Sequence, residues 1–432
     1  MTGTTRLEPE IALERLAGYG VHQDPAPFAV DEVVPKVALA VASPEAVAEV
    51  LAVCAAAELG VIPWGCGGQM GLGNVPERYD VALDVRGLSQ IVQYEPADLT
   101  IAVQAGRTLA DLERDLAANG QMLPIDAAEP ERVTVGGLVA TGLGCPRRFG
   151  HGSLRDLIIG ITVALPDGTL AKGGGIVVKN VSGYDMMRLH FGALGALGVI
   201  VQANFKLLPA PEAQRTLLLG FSAVAEAAEA ALTLRGSQLA PTALVVLEPE
   251  TTRRIGLEAS GWVLAARCEG PEAAVIRQAD RLRDTAGAFA REAQVLDAAE
   301  TIAFWRALQG ALDARPQTDR LRVRIGELPT RLAGLAQRLT SDLGSALAGL
   351  VLDYGSGLAY VTVSGTVELL RSAWSTLAQL GYHATMLAGP PGSKMGTDVF
   401  GRHPDGVTVM RRLKETFDPQ RVLNRGRFIA HL

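Results

Sequence analysis

Cysteine is scarce in this 432-residue chain, with four residues, Cys54, Cys66, Cys145 and Cys268. None forms a CxxC pair, which excludes a zinc ribbon, an iron–sulfur framework or a disulfide lattice and fits a reducing compartment. No apolar run free of charge reaches the length a membrane span needs. The first sixteen residues carry Arg6, Glu8, Glu10, Glu14 and Arg15 and lack a signal-peptide core. The expected location is therefore cytoplasmic, with at most peripheral association at the inner face of the cell membrane. Basic excess is missing too: 40 Lys and Arg stand against 46 Asp and Glu, a net charge of -6, which argues against a nucleic-acid partner. The six histidines show no ligand spacing, so no metal site is expected. No Ser, His or Cys set identifies a catalytic residue.

Apolar residues, in contrast, make up 48% of the chain, and its length suffices for two or three full cores. Glycine is abundant and clustered. Residues 63–74 read Pro-Trp-Gly-Cys-Gly-Gly-Gln-Met-Gly-Leu-Gly-Asn, with five glycines between 65 and 73, directly after the apolar strand 60–62. Bare backbone amides after a strand suit an anion; a surface loop is the other reading. The Lys of a Walker loop is absent, and the third Gly of a Rossmann turn is missing. A second glycine pair, Gly136-Gly137, lies between Thr134 and Thr141 and is read as exposed backbone on the far side of a diphosphate. Clusters at 173–175 and at Gly192, Gly195 and Gly198 follow, each against a strand.

Around these loops the pattern alternates. Strands are expected at 36–41, 60–62, 81–85, 99–105, 158–165 and 199–203. Ser43-Pro44-Glu45 starts a helix running to about 59, and 109–119 is a second. After Pro209-Ala210-Pro211 the glycine loops vanish. Strands at 216–221, 243–247, 262–268, 321–325, 349–354, 360–364 and 382–387 alternate with helices at 224–234, 272–286, 298–312, 330–343 and 367–380. This predicts an α+β unit with helices covering one face of a mostly antiparallel sheet. A basic helix, 410–417, precedes the tail. The expected division is a lead-in over 1–34, a glycine-loop domain over 35–211, a second domain over 212–405 and a returning tail over 406–432.

The ordered set 63–74, 130–141, 146–156, 175–185, 192–203 and the terminal Phe417-Asp418-Pro419…Asn424-x-Gly426-Arg427 resembles the flavin-binding oxidoreductases of the vanillyl-alcohol oxidase/PCMH type. Within that family it is most similar to the FAD-binding subunits of glycolate oxidase-like complexes. The resemblance implies a two-subdomain FAD-binding domain followed by an α+β cap domain. It implies that amides of Gly65, Cys66, Gly67, Gly68 and Gln69 cradle the FAD diphosphate, with Thr134, Gly136, Gly137 and Thr141 opposite. Gly198 and Ile200 would hold the adenine end and Asn424 would reach the flavin ring from the cap. No His or Cys matches the family's flavin-linking positions, so non-covalent FAD is implied.

The chain departs from the family at Trp64 (usually Arg), Cys66 (Gly), Gly68 (Thr), Gly142 (Asn), Ala193 (Ser), Ala196 (Thr) and Arg425 (Pro). The family's His-rich cap motif is replaced by Asp353-Tyr354-Gly355-Ser356-Gly357. The expected role is therefore an electron-transferring subunit beside a catalytic FAD subunit and an iron–sulfur subunit of a 2-hydroxy-acid dehydrogenase. A stand-alone oxidase of a small hydroxy acid, with Arg402, Tyr354 or Lys394 holding the carboxylate, is the alternative. A scaffold without cofactor is the third reading.

Overall fold

The computed structural model describes residues 7–176, 184–259, 261–287, 290–313, 315 and 318–432. The stretch 177–183, part of the family-like segment 175–185, lies outside the described residues.

The first subdomain is a four-stranded sheet in the order Gly20–Val21, Val37–Ala40, Val81–Asp84, Val61–Trp64. The last three strands run parallel. Such pairing needs a crossover, and the helix Pro44–Ala56 supplies it. Its start is set by the Ser43 hydroxyl, which accepts the Ala46 N–H at 3.1 Å, and by Pro44 in the first turn. Val47, Leu51 and Cys54 of the helix pack on Leu39, Val61 and Leu83 of the sheet. The chain's last segment returns here: the Val61 N–H donates to the Val422 carbonyl and the Asn424 N–H to the Val61 carbonyl.

The second subdomain is a five-stranded antiparallel sheet, ordered Ile91–Glu95, Thr100–Gln104, Val199–Lys206, Ile158–Ala164, Leu170–Gly174. The helices Leu109–Ala117 and Val135–Thr141 bury Leu112, Leu116, Val135 and Val139 against Ile101, Val103, Ile161 and Phe205. The second of these helices was not expected, because a Gly-Gly pair is a poor helix former. Packing reverses that preference. Thr134 caps the helix, and Gly136 lies so close to the preceding strand end that a Cβ would stand 2.9 Å from that of Ala105.

The cap is one eight-stranded sheet, antiparallel throughout, ordered Glu292–Leu296, Ala213–Phe221, Trp262–Gly270, Ala243–Leu247, Leu347–Asp353, Leu358–Ser364, Arg320–Gly326, His383–Ala388. The α+β class and the order of the two units are as the sequence led us to expect. Four helices, Val224–Gly236, Glu272–Ala286, Leu332–Leu343 and Val367–Leu377, close one face over a single core. The helix Ala298–Leu312 breaks the one-face expectation. Its Phe304, Trp305, Leu308 and Leu312 pack on the opposite face with Leu218, Val245 and Ala265, next to Leu72 of the glycine-loop domain. Two edge strands, Ile91–Glu95 and Glu292–Leu296, also went unforeseen. Edge strands are half solvated and carry a weak apolar signal.

A buried charge network pins the two units together. Arg147 of the first meets Glu269 of the cap at 2.7 Å, and Arg267 of the cap meets Asp126 of the first at 3.0 Å. His151 adds a 2.9 Å contact to Glu269.

Candidate functional site

Loop 65–74 leaves the strand Val61–Trp64 at the mouth of a cleft between the two subdomains. Trp64 anchors its root: the indole N–H donates to the Tyr79 hydroxyl at 2.6 Å, and that hydroxyl donates to the Phe28 carbonyl at 2.9 Å. The loop then folds back on the Trp64 ring. Gly67 has φ +74°, and a Cβ there would stand 2.7 Å from Trp64 Cζ3, so both space and backbone require glycine.

The two edges of the loop carry opposite polarity. On the carbonyl edge, Arg427 donates to Met70 O at 2.9 Å and to Leu72 O at 2.7 Å. Lys394 donates to Gly71 O at 2.7 Å and is neutralised by Asp31 at 2.7 Å. On the amide edge, the N–H groups of Gly65, Cys66, Gly67, Gly68 and Gln69 have no acceptor among the described residues. A row of unsatisfied amides backed by two buried cations is an anion cradle.

The residues expected from the sequence mostly meet at this cleft. Gly65 to Gln69 form one wall and Thr134, Gly136, Gly137 and Thr141 the other, while Ile200 and Asn424 also line it. Gly198 does not; it is turned toward Leu165, the Ala164 carbonyl and His190. The reading of Gly136-Gly137 as exposed amides is corrected by the structure. The Gly136 N–H donates to Ala105 O at 2.7 Å and the Gly137 N–H to Thr134 Oγ1 at 3.2 Å. These glycines bring a bare surface, not free donors. Thr141 Oγ1 lies 2.7 Å from Gln69 Oε1 and so ties the two walls together. Asn424 lies in the tail and not in the cap. Its Nδ2 donates to Leu194 O at 2.8 Å, and its Oδ1 accepts from Arg427 at 3.3 Å.

Arg132 and Arg427 supply the only charges in the lining among the described residues. Burial raises the Cys66 thiol above its usual range, so it stays protonated at neutral pH. Sequence reasoning passed over Trp64 as an anchor and Lys394 and Arg427 as supports. The only available signal was Arg427 closing the terminal motif.

A family model described as the FAD binding domain matches residues 35–184, and one for the C-terminal domain of FAD linked oxidases matches 401–428. The two matches hold most of the residues that line the cleft, and Leu194, Gly195, Val199 and Ile200 lie between them.

The chain carries both domains of an FAD-linked oxidoreductase.

FAD is accordingly its cofactor, and the amide cradle fits the charge of a dinucleotide diphosphate. Among relatives of this flavoprotein, the glycolate oxidase subunit GlcD of Bacillus subtilis strain 168 is 24% identical over 92% of this chain and 89% of its own length. The glycolate oxidase subunit GlcE of Escherichia coli K12 is 43% identical over 31% of this chain and 39% of its own. A solved structure of alkyldihydroxyacetonephosphate synthase superposes with TM-score 0.70 at 18% identity, covering 98% of this chain and 86% of that one, which shows a shared fold. With FAD established as the cofactor, the cofactor-less scaffold reading falls.

Neither Arg402, Tyr354 nor Lys394 lines the cleft. Arg402 donates at the surface to Gln379, Tyr354 is buried in the core under the cap helices, and Lys394 is committed to Asp31 and the loop. Among the described residues no group of three or more His, Cys, Asp and Glu could hold a metal ion, and no helix is long and apolar enough to cross a membrane.

Proposed function

We propose that this flavoprotein is the electron-transferring FAD subunit of a 2-hydroxy-acid dehydrogenase complex of the glycolate oxidase kind. It would work beside a catalytic FAD subunit and an iron–sulfur subunit. FAD supplies the capacity to accept an electron pair and pass electrons on singly. In this reading the amides of Gly65, Cys66, Gly67, Gly68 and Gln69 hold the diphosphate, and Thr134 and Thr141 stand opposite. Ile200 borders the adenine end. Asn424 and Arg427 fix the tail against the loop and close the cleft.

One observation carries the relay role. Oxidising a 2-hydroxy acid removes a hydride from carbon and a proton from the hydroxyl, and the proton needs a base within reach. The described lining of the flavin cleft holds no His, Asp, Glu, Lys or Tyr, and its one thiol is kept protonated by burial. The cleft can bind and orient a flavin, but its described lining offers no group to take that proton. The names of the relatives, both glycolate oxidase subunits, support the choice of complex.

The test is an anaerobic titration of the purified chain with FAD bound. Glycolate and D-lactate should leave the oxidised flavin bands unchanged, while dithionite bleaches them. Bleaching by either acid at a turnover rate would overturn the relay reading in favour of a stand-alone oxidoreductase.

A further inference from the structure

The two cations that grip the carbonyl edge of the glycine loop are not equally compensated. Lys394 Nζ bonds both carboxylate oxygens of Asp31, at 2.7 and 2.9 Å. Arg427 is buried too, yet no carboxylate pairs with it among the described residues. Its Nη2 donates to Met70 O and Leu72 O, its Nη1 to Asn424 Oδ1, and its Nε is bonded to nothing. The nearby carboxylates are engaged elsewhere. Asp398 takes His403 at 2.8 Å and the Ala430 N–H at 2.7 Å, and Glu77 reaches Arg421 and Arg425. Neither lines the cleft. Arg132, the other cation of the lining, is exposed and stands 3.5 Å from Glu129. A guanidinium stays protonated at neutral pH. One uncompensated positive charge is therefore built into the wall of the cleft.

Its place along the cleft follows from what its partners touch. Leu72, whose carbonyl Arg427 holds, packs its side chain with Leu218 and Val245 of the cap, and Leu194 packs against the same cluster. Leu72 and Leu194 both line the cleft. Ile200, in contrast, belongs to the core of the second subdomain, with Ile101 and Phe205. Arg427 thus marks the part of the cleft that abuts the cap.

We propose that the unpaired charge of Arg427 tunes the bound flavin, holding its reduction potential above that of an uncharged cleft. The inference rests on the reading that sets the adenine beside Ile200, which leaves the cap end for the ring. Full reduction of a flavin takes up two electrons and one proton and leaves one negative charge on the ring. A fixed cation stabilises that anion and not the neutral oxidised ring, so it raises the potential. Across a cleft poor in water one such charge is worth about a tenfold factor in the equilibrium. The Lys394–Asp31 pair is neutral as a whole and adds little to this field. A raised potential suits a relay, because it draws electrons from the donor that precedes it.

The midpoint potential of the FAD-bound chain, measured by equilibration with a reference dye, tests it in four variants. R427M removes the charge. N424D keeps the guanidinium but sets a carboxylate where Asn424 Oδ1 now accepts from it. Both should lower the potential by about tenfold in the two-electron equilibrium, or about 30 mV. R427K keeps the charge without the forked contacts, so FAD affinity should fall while the potential holds. K394M/D31L removes a neutral pair and should hold it as well. Where R427M sheds its flavin, N424D decides. An unchanged potential in N424D, an R427M that loses FAD affinity but keeps its potential, or equal drops in all four variants would each overturn the proposal. Bleaching by glycolate would sink the relay reading and leave this pattern intact, so the two fail separately.

Discussion

Lys394 Nζ lies 2.7 Å from the Gly71 carbonyl, so a cation of the cap grips the carbonyl edge of the loop whose amides face the cleft. The same ammonium lies 2.7 Å from Asp31, 363 residues away in the chain. One fully buried pair therefore joins the lead-in, the glycine loop and the cap.

K394M should strip the loop of this support and leave Asp31 buried without a counter-charge. Breaking one partner of a buried pair costs about 3–5 kcal/mol. The melting temperature should fall and FAD should be released at lower denaturant. The double variant K394M/D31L removes the stranded charge and should recover much of the melting temperature but not the FAD affinity. Full recovery of FAD affinity would show that Lys394 does not position the loop.

G67A should fold and lose flavin. The left-handed backbone at φ +74° costs an L-residue about 1–2 kcal/mol, and the Trp64 ring leaves no room for the methyl. The loop must shift its amides to relieve both. The ratio of flavin absorbance at about 450 nm to protein absorbance, with far-ultraviolet circular dichroism as the fold control, measures this; G120A serves as the control that carries the backbone cost without a clash, since Gly120 also has a positive φ but a Cβ there meets nothing within 4 Å.

His190 gives the protein an acid-side stability slope. The ring is buried, both nitrogens lack partners among the described residues, and burial lowers it from 6.5 to about 4. The unfolded chain binds a proton below its ordinary value and the folded chain refuses it until about 4. Stability is therefore lost as pH falls through that window, by up to about 3 kcal/mol. The urea midpoint should drop between pH 7 and pH 4, and H190L should flatten the drop.

Glu269 works in a lower window. Against the cost of burial, the His151 contact and the charges of Arg147 and Arg267 hold it down at about 2. The stability it contributes is present above its ordinary range and fades as pH falls from about 4.5 toward 2. E269Q should weaken the seam at neutral pH, since it leaves Arg147 and Arg267 facing Asp126 alone. Limited proteolysis between the two units should speed up in E269Q and stay slow in the exposed-pair variant R253Q, whose partner Glu250 is on the surface.

The sequence by itself determined the regular elements and the chemistry of the cradle. Ser43 and Pro44 start a helix wherever they precede an apolar run, and Val81–Asp84 and Ala243–Leu247 are apolar enough to be buried strands in any setting. Glycines at 65, 67 and 68 expose amides because they lack Cβ atoms, a property that needs no tertiary context. These are local effects, set by residues within one turn or one strand. Tertiary structure decided what the local signals could not. Gly136-Gly137 became helical because Thr134 caps it and Ala105 packs against it, spending amides that the sequence left free. Lys394 found Asp31, and Arg147 came to meet Glu269, across spans that no spacing rule connects. Charge pairing depends on where distant strands bring side chains together, and that geometry exists only once the sheets have packed.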